Sequence, residues 1–287
     1  MPIRVITFNV EHGSCHAILS TDNKAVLIDL GWSQSFSPLA WLKAQGINII
    51  DVLVITHPHA DHIKAIYGLA DFHTKIFYRP GFVPDCLISE LDPRLKHAWQ
   101  TVNSFYSSPI PVTERFYEPV SPTPANFQLE FFGYSPTANL NNYSVVTVVN
   151  YFGLKFLFPG DLEEPGWKAL LQQPAFVSAV GGTNILVAAH HGRRQGWCCE
   201  LFDLMTPQLV IISDGSAKET SCASEYCKRT VGARVRSHST GEIKTKNLVS
   251  TRDNGYVDIN AWLEEQADPM TGLKQYPCFY TVTVGKF

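Results

Sequence analysis

Short apolar runs alternate with turn residues along the first part of the chain. Gly13 and the turn signal Thr21-Asp-Asn23 separate the first three of these runs, which is the pattern of short strands joined by turns. Strands are therefore predicted at residues 3–9, 15–20, 25–29 and 51–55. A helix is predicted from Ser37-Pro38 to Gln45, where Gly46 ends it, and another at about 63–71.

A second set of strands follows Ser121-Pro-Thr-Pro124, with a helical stretch at 163–173 among them. These strands are predicted near residues 127–133, 144–152, 154–158, 184–188, 208–212 and 256–260. Two strand-rich halves, each with helices, predict an α/β fold in which two sheets pack face to face and helices cover the outer faces. We therefore expect a four-layer αββα sandwich.

The segment between the two halves, about 79–118, has a different pattern. Its apolar and aromatic positions recur at helical spacing, from Leu87 to Tyr106, which favours a helix packed on the core over a lid that closes on substrate. No repeat or long linker divides the chain. We expect a single domain over residues 1–287, with a helical insertion at about 79–118.

Composition narrows the classes of protein that remain. Of the 287 residues 45% are hydrophobic and 17% charged, which suits a packed core, and the net charge of −3 leaves any contact with nucleic acid to a local patch. The chain has no apolar run of the roughly 18 residues that a membrane span needs, and no signal-peptide pattern at its start. Its seven cysteines include no Cys-x-x-Cys pair. We expect a cytoplasmic protein with no membrane contact.

Four metal-capable side chains lie within six residues, directly after the predicted strand 51–55. They are His57, His59, Asp61 and His62. Imidazole nitrogens and carboxylate oxygens are ligands that zinc, manganese and iron share. In this spacing His57 and His59 can point at one ion, and Asp61 and His62 can turn toward a second. The alternative is a polar turn before a helix, but so dense a set after a strand predicts a metal site.

Two further polar groups end predicted strands in the same manner. Asp161 follows a strand and a Pro-Gly turn, and a carboxylate placed there can give one oxygen to each of two ions. His190 and His191 follow the strand 184–188, and at least one of them should complete the coordination of the metal. His12, at the junction of a strand and a turn, can overlook the same site, and Asp214 can reach its edge.

The motifs resemble those of the metallo-β-lactamase superfamily, in which His-x-His-x-Asp-His follows a strand. Within it, the chain is most similar to the hydrolase domain at the C-terminal end of ComEC-type competence proteins and to the free-standing relatives of that domain. The similar segments occur in the expected order and span roughly residues 3 to 260. They are residues 8–15, 27–31, 56–62, 158–161, 189–192 and the Thr-Arg-x-x-Gly turn at 250–255.

The resemblance implies a role for several residues. It makes both histidines of the His-His-Gly motif candidates, and we expect His190 to be the ligand and His191 to support it, face substrate or take part in catalysis. Asp29 occupies the position of an aspartate that supports the metal loop. The resemblance further implies one or two Zn²⁺ ions. The region at 139–144 has no histidine where many members carry one, so Mn²⁺ or Mg²⁺ could occupy the weaker subsite.

Basic residues stand where the family pattern has small ones. Lys64 follows Asp-His-Ile, and Arg193 and Arg194 follow His-His-Gly. Guanidinium groups match the oxygens of phosphate in pairs, so these residues favour an anionic substrate, with phosphoesters first. Surface salt bridges are the alternative role for each of them.

These features together predict a metal-dependent hydrolase that uses metal-activated water, with Asp61 as acceptor of the water's proton. The favoured activity is that of a phosphodiesterase or nuclease acting on DNA, RNA or a nucleotide. One alternative is a hydrolase of a carboxyl ester, thioester, lactone or amide, and another is a catalytically silent metal-binding subunit. The chain could also work with partner subunits in a larger system.

Overall fold

The computed structural model describes residues 2–81, 83–89, 91–105, 110–112, 127–134, 139–215, 221–267 and 274–286. Its strands are β1 Ile3–Thr7, β2 His16–Ser20, β3 Ala25–Ile28, β4 Ile49–Val54, β5 His73–Pro80, β6 Ile110–Val112, β7 Gln128–Phe132, β8 Val146–Tyr151, β9 Leu154–Phe158, β10 Ile185–Val187, β11 Leu209–Ile212, β12 Ala233–Ser237, β13 Ile243–Lys246, β14 Leu248–Ser250, β15 Tyr256–Leu263, β16 Gln266–Ala267, β17 Lys274–Gln275 and β18 Cys278–Gly285.

The α-helices are α1 Pro38–Ala44, α2 Ala60–Ile63, α3 Pro93–Phe105, α4 Glu164–Leu170, α5 Pro174–Val180, α6 Ala223–Lys228 and α7 Thr251–Asn254. Helix α1 begins as its sequence predicts: Pro38 occupies the first turn and the Ser37 hydroxyl accepts a hydrogen bond from the Ala40 N–H at 3.3 Å. Among the described residues, no helix has the length and apolar character that crossing a membrane requires.

Two large sheets face each other. The first has the order β13-β12-β18-β15-β1-β2-β3-β4-β5-β6, and the second has the order β14-β11-β10-β9-β8-β7. Side chains of both sheets form one buried cluster between them, in which the rings of Tyr78 and Phe131 stack at 4.1 Å. Burial of this apolar surface from both sides holds the two sheets together.

Helices cover the outer faces. On the first sheet, α1 and α3 bury Leu42, Leu95 and Trp99 in a second apolar cluster. On the second sheet, α4 and α5 bury Trp167 and Phe176 in a third. The result is the four-layer αββα sandwich that the sequence predicted.

The structure confirms most predicted strands and the helix within the segment 79–118, where α3 packs on the core. Residues 82, 90, 106–109 and 113–118 of that segment lie outside the described residues. The single helix predicted at 63–71 is wrong: α2 ends at Ile63, and a separate 3-10 helix, Ile66–Asp71, follows. The strand at 256–260 was grouped with the second half of the chain, whereas β15 pairs antiparallel with β1 in the first sheet.

Candidate metal centre

The candidate site lies at one rim of the sandwich. In the first sheet β3 and β4 are parallel, and in the second β9, β10 and β11 are parallel, so the carboxyl ends of each set lie together. Polar residues follow these ends directly, and the sheets bring them into contact. They are Asp29 after β3, His57 to His62 after β4, Asp161 after β9, His190 and His191 after β10, and Asp214 after β11.

The loop after β4 meets the loop after β9 through a close backbone approach. Gly160 has φ of +60°, and a Cβ at this position would lie 2.7 Å from Thr56 Cβ and 2.9 Å from Ser144 Oγ. A larger residue would therefore be strained and would force the loops apart. The Asp161 N–H donates to Ser144 Oγ at 3.0 Å, which fixes the start of the carboxylate side chain.

Asp161 lies at the middle of the site, and its two carboxylate oxygens face different histidines. Oδ1 is 3.3 Å from His62 Nε2 and 3.5 Å from His191 Nε2, and Oδ2 is 3.8 Å from His57 Nε2. His59 Nδ1 is 2.9 Å from His57 Nε2. The side chains of Asp161, His57, His62 and His191 are buried.

These side chains form two potential ligand groups that share Asp161. In one, His57, His59 and Asp161 place ligand atoms within 4.8 Å of one another; in the other, Asp61, His62, Asp161 and His191 do so. Asp61 Oδ2 is 3.3 Å from His191 Nε2 and 3.8 Å from His62 Nε2. A carboxylate common to two groups is the arrangement of a bridging ligand between two cations.

The histidines of the second group are fixed by hydrogen bonds on their far side. His62 Nδ1 donates to Asp29 Oδ2 at 2.7 Å, and His191 Nδ1 donates to the Ser213 carbonyl at 2.7 Å. Among the described residues, neither Nε2 atom makes a hydrogen bond, although both are buried. This leaves Nε2 as the atom that faces the carboxylates. Histidines that bind metal are held in this way.

Asp29 organises the loop after β4. Its carboxylate accepts hydrogen bonds from the Thr56 N–H at 2.8 Å and from the Thr56 hydroxyl at 2.9 Å, besides the bond from His62. Hydrogen bonds to a charged group stabilise by about 1.5–3 kcal/mol each. Asp29 is fully buried, and burial raises its pKa, which the contact with His62 partly offsets.

Burial and the carboxylates act in opposite directions on the histidines. Burial lowers the pKa of His191, but Asp161 and Asp61 more than offset it and raise that pKa to about 10. For His62 burial is likewise outweighed, by Asp161 and Asp29, and its pKa lies well above the ordinary value. Burial lowers the pKa of His57, and His62 lowers it further.

The carboxylates of the centre are held in the charged form. Burial alone would raise the pKa of Asp161 and of Asp61, but the neighbouring histidines, His191 and His62, hold both well below their usual range. The carboxylates and the two histidines with a raised pKa thus favour each other's charged form.

His190 lies beside the two groups. Its Nδ1 is 3.3 Å from Glu163 Oε1, and its Nε2 is 3.9 Å from Asp161 Oδ2 and 3.1 Å from Arg193 Nη1. Glu163 in turn accepts hydrogen bonds from the side-chain amides of Asn139 at 2.6 Å and Asn141 at 2.8 Å. The Asn-rich segment that lacks a histidine thus anchors Glu163.

Both histidines of the pair have an unusual backbone. His190 has φ of 49° and His191 has φ of 54°, in the left-handed region that side-chain-bearing residues rarely adopt. Such conformations cost of order 1–3 kcal/mol each and are found mainly at functional sites. The turn sends consecutive side chains to different sides, so that His191 reaches Asp61 and His190 reaches Glu163.

The three basic residues predicted to bind substrate lie in different places. Arg193 reaches the site through its contact with His190. Arg194 extends away from it, with Nη1 3.8 Å from Cys222 Sγ, and Lys64 is exposed with its ammonium 5.7 Å from the ring centroid of Trp32. The geometry brings Arg193 alone of these three to the histidine cluster.

His12 contacts the outer side of the cluster. Its Nε2 is 3.5 Å from Asp61 Oδ2, and its Nδ1 is 3.9 Å from Asp214 Oδ1. Burial lowers the pKa of His12, and the nearby His191 lowers it further, which favours the neutral form of the ring. Asp214 is buried and is also bound by Arg252, whose Nη1 lies 3.0 Å from Asp214 Oδ2.

Some residues of the site had no clear signal in the sequence. Glu163 and Ser144 lie in segments read only as a helix start and a strand start, yet Glu163 contacts His190 and Ser144 binds Asp161. Arg252 had a signal, the Thr-Arg-x-x-Gly turn, without an assigned role. His16 lies outside the site, buried in the core and hydrogen-bonded to the side chains of Thr7 and Ser14.

The donor set fits a divalent metal centre. It combines imidazole rings with buried carboxylates, and the Nε2 atoms of His62 and His191 face those carboxylates. Imidazole nitrogens and carboxylate oxygens are ligands for zinc and for harder ions such as manganese. The order of the motifs and the fold are those of one superfamily. The family model described as "Metallo-beta-lactamase superfamily" matches residues 9–185, and the chain belongs to that superfamily of metal-dependent hydrolases, whose fold implies a divalent metal.

Among curated proteins, the chain is similar to "ComE operon protein 3" of Bacillus subtilis (strain 168). The two are 24% identical over 213 residues, which is 66% of this chain and 25% of that protein. The chain therefore spans about a quarter of the length of this relative.

Solved structures with a similar course of the chain include a diphosphatase of the PhnP family, at 12% identity and a TM-score of 0.46, covering 91% of this chain and 99% of that one. The metallo hydrolase Igni18 of Ignicoccus hospitalis is 13% identical, with a TM-score of 0.46 over 74% of this chain and 82% of that one. Zinc-bound PqqB of Methylobacterium extorquens is 12% identical, with a TM-score of 0.43 over 71% and 77%.

Proposed function

We propose that the chain is a phosphodiesterase that cleaves nucleic acid or a nucleotide with a centre of two divalent ions. The observation that carries the proposal is the position of Asp161, shared by two ligand groups that meet at its carboxylate. Paired ions with a shared carboxylate suit in-line displacement at phosphorus, where both the attacking and the leaving oxygen carry charge.

The ligand assignment follows the two groups. His57, His59 and Asp161 would hold one ion, and Asp61, His62, Asp161 and His191 the other. We thus place His191 as ligand instead of His190, which reverses the preference stated from the sequence. The first group has fewer ligand residues, so we propose it as the weaker subsite, open to Mn²⁺ or Mg²⁺, with Zn²⁺ in the second.

When bound, the ions would lower the pKa of a water molecule from about 16 toward 7 and so make hydroxide available. The attacking water gives its proton to Asp61, the more exposed of the two carboxylates, with 24% of its side chain accessible. His12, 3.5 Å from Asp61 and 38% exposed, would carry the proton outward to solvent. This assigns His12 a role in proton release.

We assign substrate binding to the part of the centre where Arg193 contacts His190. Arg193 presents a guanidinium next to His190, and Glu163 Oε1 lies 3.3 Å from Nδ1 on the other side of the His190 ring. A guanidinium at this position would bind the non-bridging oxygens of a phosphodiester and stabilise the charge that develops on them.

The test is turnover by metal-stripped protein resupplied separately with Zn²⁺, Mn²⁺ and Mg²⁺. Substrates are bis-p-nitrophenyl phosphate, single-stranded DNA and p-nitrophenyl acetate as a neutral ester. We expect metal-dependent cleavage of the phosphodiesters that is lost in His59→Ala. Cleavage of the ester alone would refute the proposal in favour of a carboxyl-type substrate. Metal bound without turnover of any of them would favour a catalytically silent subunit.

A further inference from the structure

A cleft with a volume of about 470 Å³ opens at the same rim as the metal centre. Its walls are the hairpin of β12 and β13, helix α7 and the end of β18. We call it the hairpin cleft. Among the described residues, four cationic side chains line it, against two carboxylates, Glu242 and Asp253. The cations are Lys244, Lys246, Arg252 and Lys286.

The lysines of β13 point into the cleft because of the strand register. Lys244 pairs with Val235 and Lys246 pairs with Ala233. Paired residues share a face of the sheet, and Val235 and Ala233 are buried in the core between the two sheets. The two lysines therefore extend the inner face of the first sheet, whereas Arg234 and Arg236, at the alternate positions of β12, are exposed on its outer face.

A series of side-chain contacts connects the wall of the cleft to the metal centre. Arg252, in its wall, binds Asp214 at 3.0 Å, and Asp214 contacts His12, which contacts Asp61.

The turn that carries Arg252 ends at a glycine that allows a close backbone approach. Gly255 has φ of +78°, and a Cβ there would lie 1.7 Å from the Gly285 carbonyl oxygen, so no other residue fits this approach of α7 to β18.

The side chains that line the hairpin cleft are mainly positive, whereas the chain as a whole is negative. The chain as a whole carries a net charge of −3, so four cations around one concavity are a local reversal of sign. Among the described contacts of the β13 lysines, one is an ion pair with a carboxylate of the cleft: Lys244 Nζ lies 3.0 Å from Glu242 Oε1. Both partners are exposed, and ion pairs of this kind hold their charges weakly, so a phosphate can compete.

We infer that the hairpin cleft binds the backbone phosphates of a polynucleotide strand whose scissile phosphodiester lies at the metal centre. This inference rests on the proposed function and narrows its substrate from a nucleotide to a polymer. Cationic side chains spaced along a groove hold successive phosphates without reading the bases. The Thr-Arg-x-x-Gly turn then joins the cleft to the centre, since Arg252 lines one and reaches the other through Asp214 and His12.

Lysines on an edge strand also prevent it from pairing with other chains. That role depends on charge along the strand and does not require a particular face. Polymer binding, in contrast, requires the face that lines the cleft. Arg234 and Arg236 provide the comparison, because they lie on the neighbouring strand of the same hairpin and face the other way.

The experiment compares the variant Lys244→Ala plus Lys246→Ala with the control Arg234→Ala plus Arg236→Ala. Binding of a fluorescein-labelled oligothymidylate of about 20 nucleotides to metal-free protein is measured by anisotropy over a salt series. Losing two phosphate contacts should reduce the slope of log K against log salt by about 1.4, which gives about 25-fold weaker binding at ~0.1 M salt. The arginine control should change the affinity less than about twofold.

Equal weakening by the two pairs would overturn the inference, since it would show a general effect of surface charge. Failure of the unaltered chain to bind the oligonucleotide would overturn it as well. Circular dichroism and thermal unfolding verify that both variants fold. Because binding is measured without metal or turnover, its result is separate from the hydrolysis assay, which alone decides the proposed function.

Discussion

Asp161→Asn is the substitution that best tests the proposed arrangement of the centre. The change keeps the shape of the side chain and removes its charge. Asp161 belongs to both ligand groups, so the first group falls from three ligand residues to two and the second from four to three. Catalytic zinc sites ordinarily keep three protein ligands, so the first subsite should lose its ion and the second should be weakened.

The expected loss in kcat/KM is at least three powers of ten, or about 4 kcal/mol of transition-state stabilisation. Its origin is structural, because Oδ1 approaches His62 and His191 at 3.3 and 3.5 Å and Oδ2 approaches His57 at 3.8 Å. The fold should remain intact, since the backbone bond from Asp161 N–H to Ser144 is unaffected by the change.

The assay combines metal content by elemental analysis with turnover of bis-p-nitrophenyl phosphate. We expect two ions per unaltered chain, one in His59→Ala, and at most one, weakly held, in Asp161→Asn. Asp203→Asn, an exposed aspartate outside the site, serves as the matched control. Undiminished activity or full metal content in Asp161→Asn would refute a bridging role for this carboxylate.

Three further predictions concern groups around the centre. Because His191 has a pKa of about 10 without metal, binding of an ion at pH 7 should release the proton of His191, and metal affinity should rise as the pH rises toward 10. Calorimetry in buffers of different ionisation enthalpy measures this release, and finding none would contradict the prediction. Arg193→Ala should raise KM for phosphodiesters severalfold more than for neutral esters, with Arg194→Ala as the neighbouring control; equal effects on both substrates would remove the phosphate role. Asp29→Asn should weaken metal affinity about 10–100-fold, as measured by competition with a chelating dye, and unchanged affinity would count against it.

Much of the fold could be predicted because local pattern and tertiary structure agree. The predicted strands at 3–9, 51–55 and 154–158 are apolar runs that the two sheets bury. Among the strands that were not predicted, β5, β12 and β18 are mixed in polarity, so their sequences indicate a strand only once the neighbouring strands of the sheet are known. Likewise, nothing in the local pattern of β15 shows that it crosses back to pair with β1.

The metal-capable residues were identifiable because each set directly follows a strand. What could not be predicted was which of two adjacent histidines joins Asp61, His62 and Asp161 in one potential ligand group. That choice depends on two consecutive left-handed residues, His190 and His191, a conformation that neither side chain favours by itself. Nor could the sequence distinguish Arg193 from Arg194, since the same turn directs them to different neighbours.

The separation of the ligand residues along the chain has a consequence for folding kinetics. His57 and Asp161 are more than a hundred residues apart and come from different sheets, so the centre cannot assemble before the two sheets have docked. Contacts that form this late are absent from the folding transition state and affect mainly the unfolding rate. A bound ion should therefore lengthen the lifetime of the folded chain without accelerating its formation.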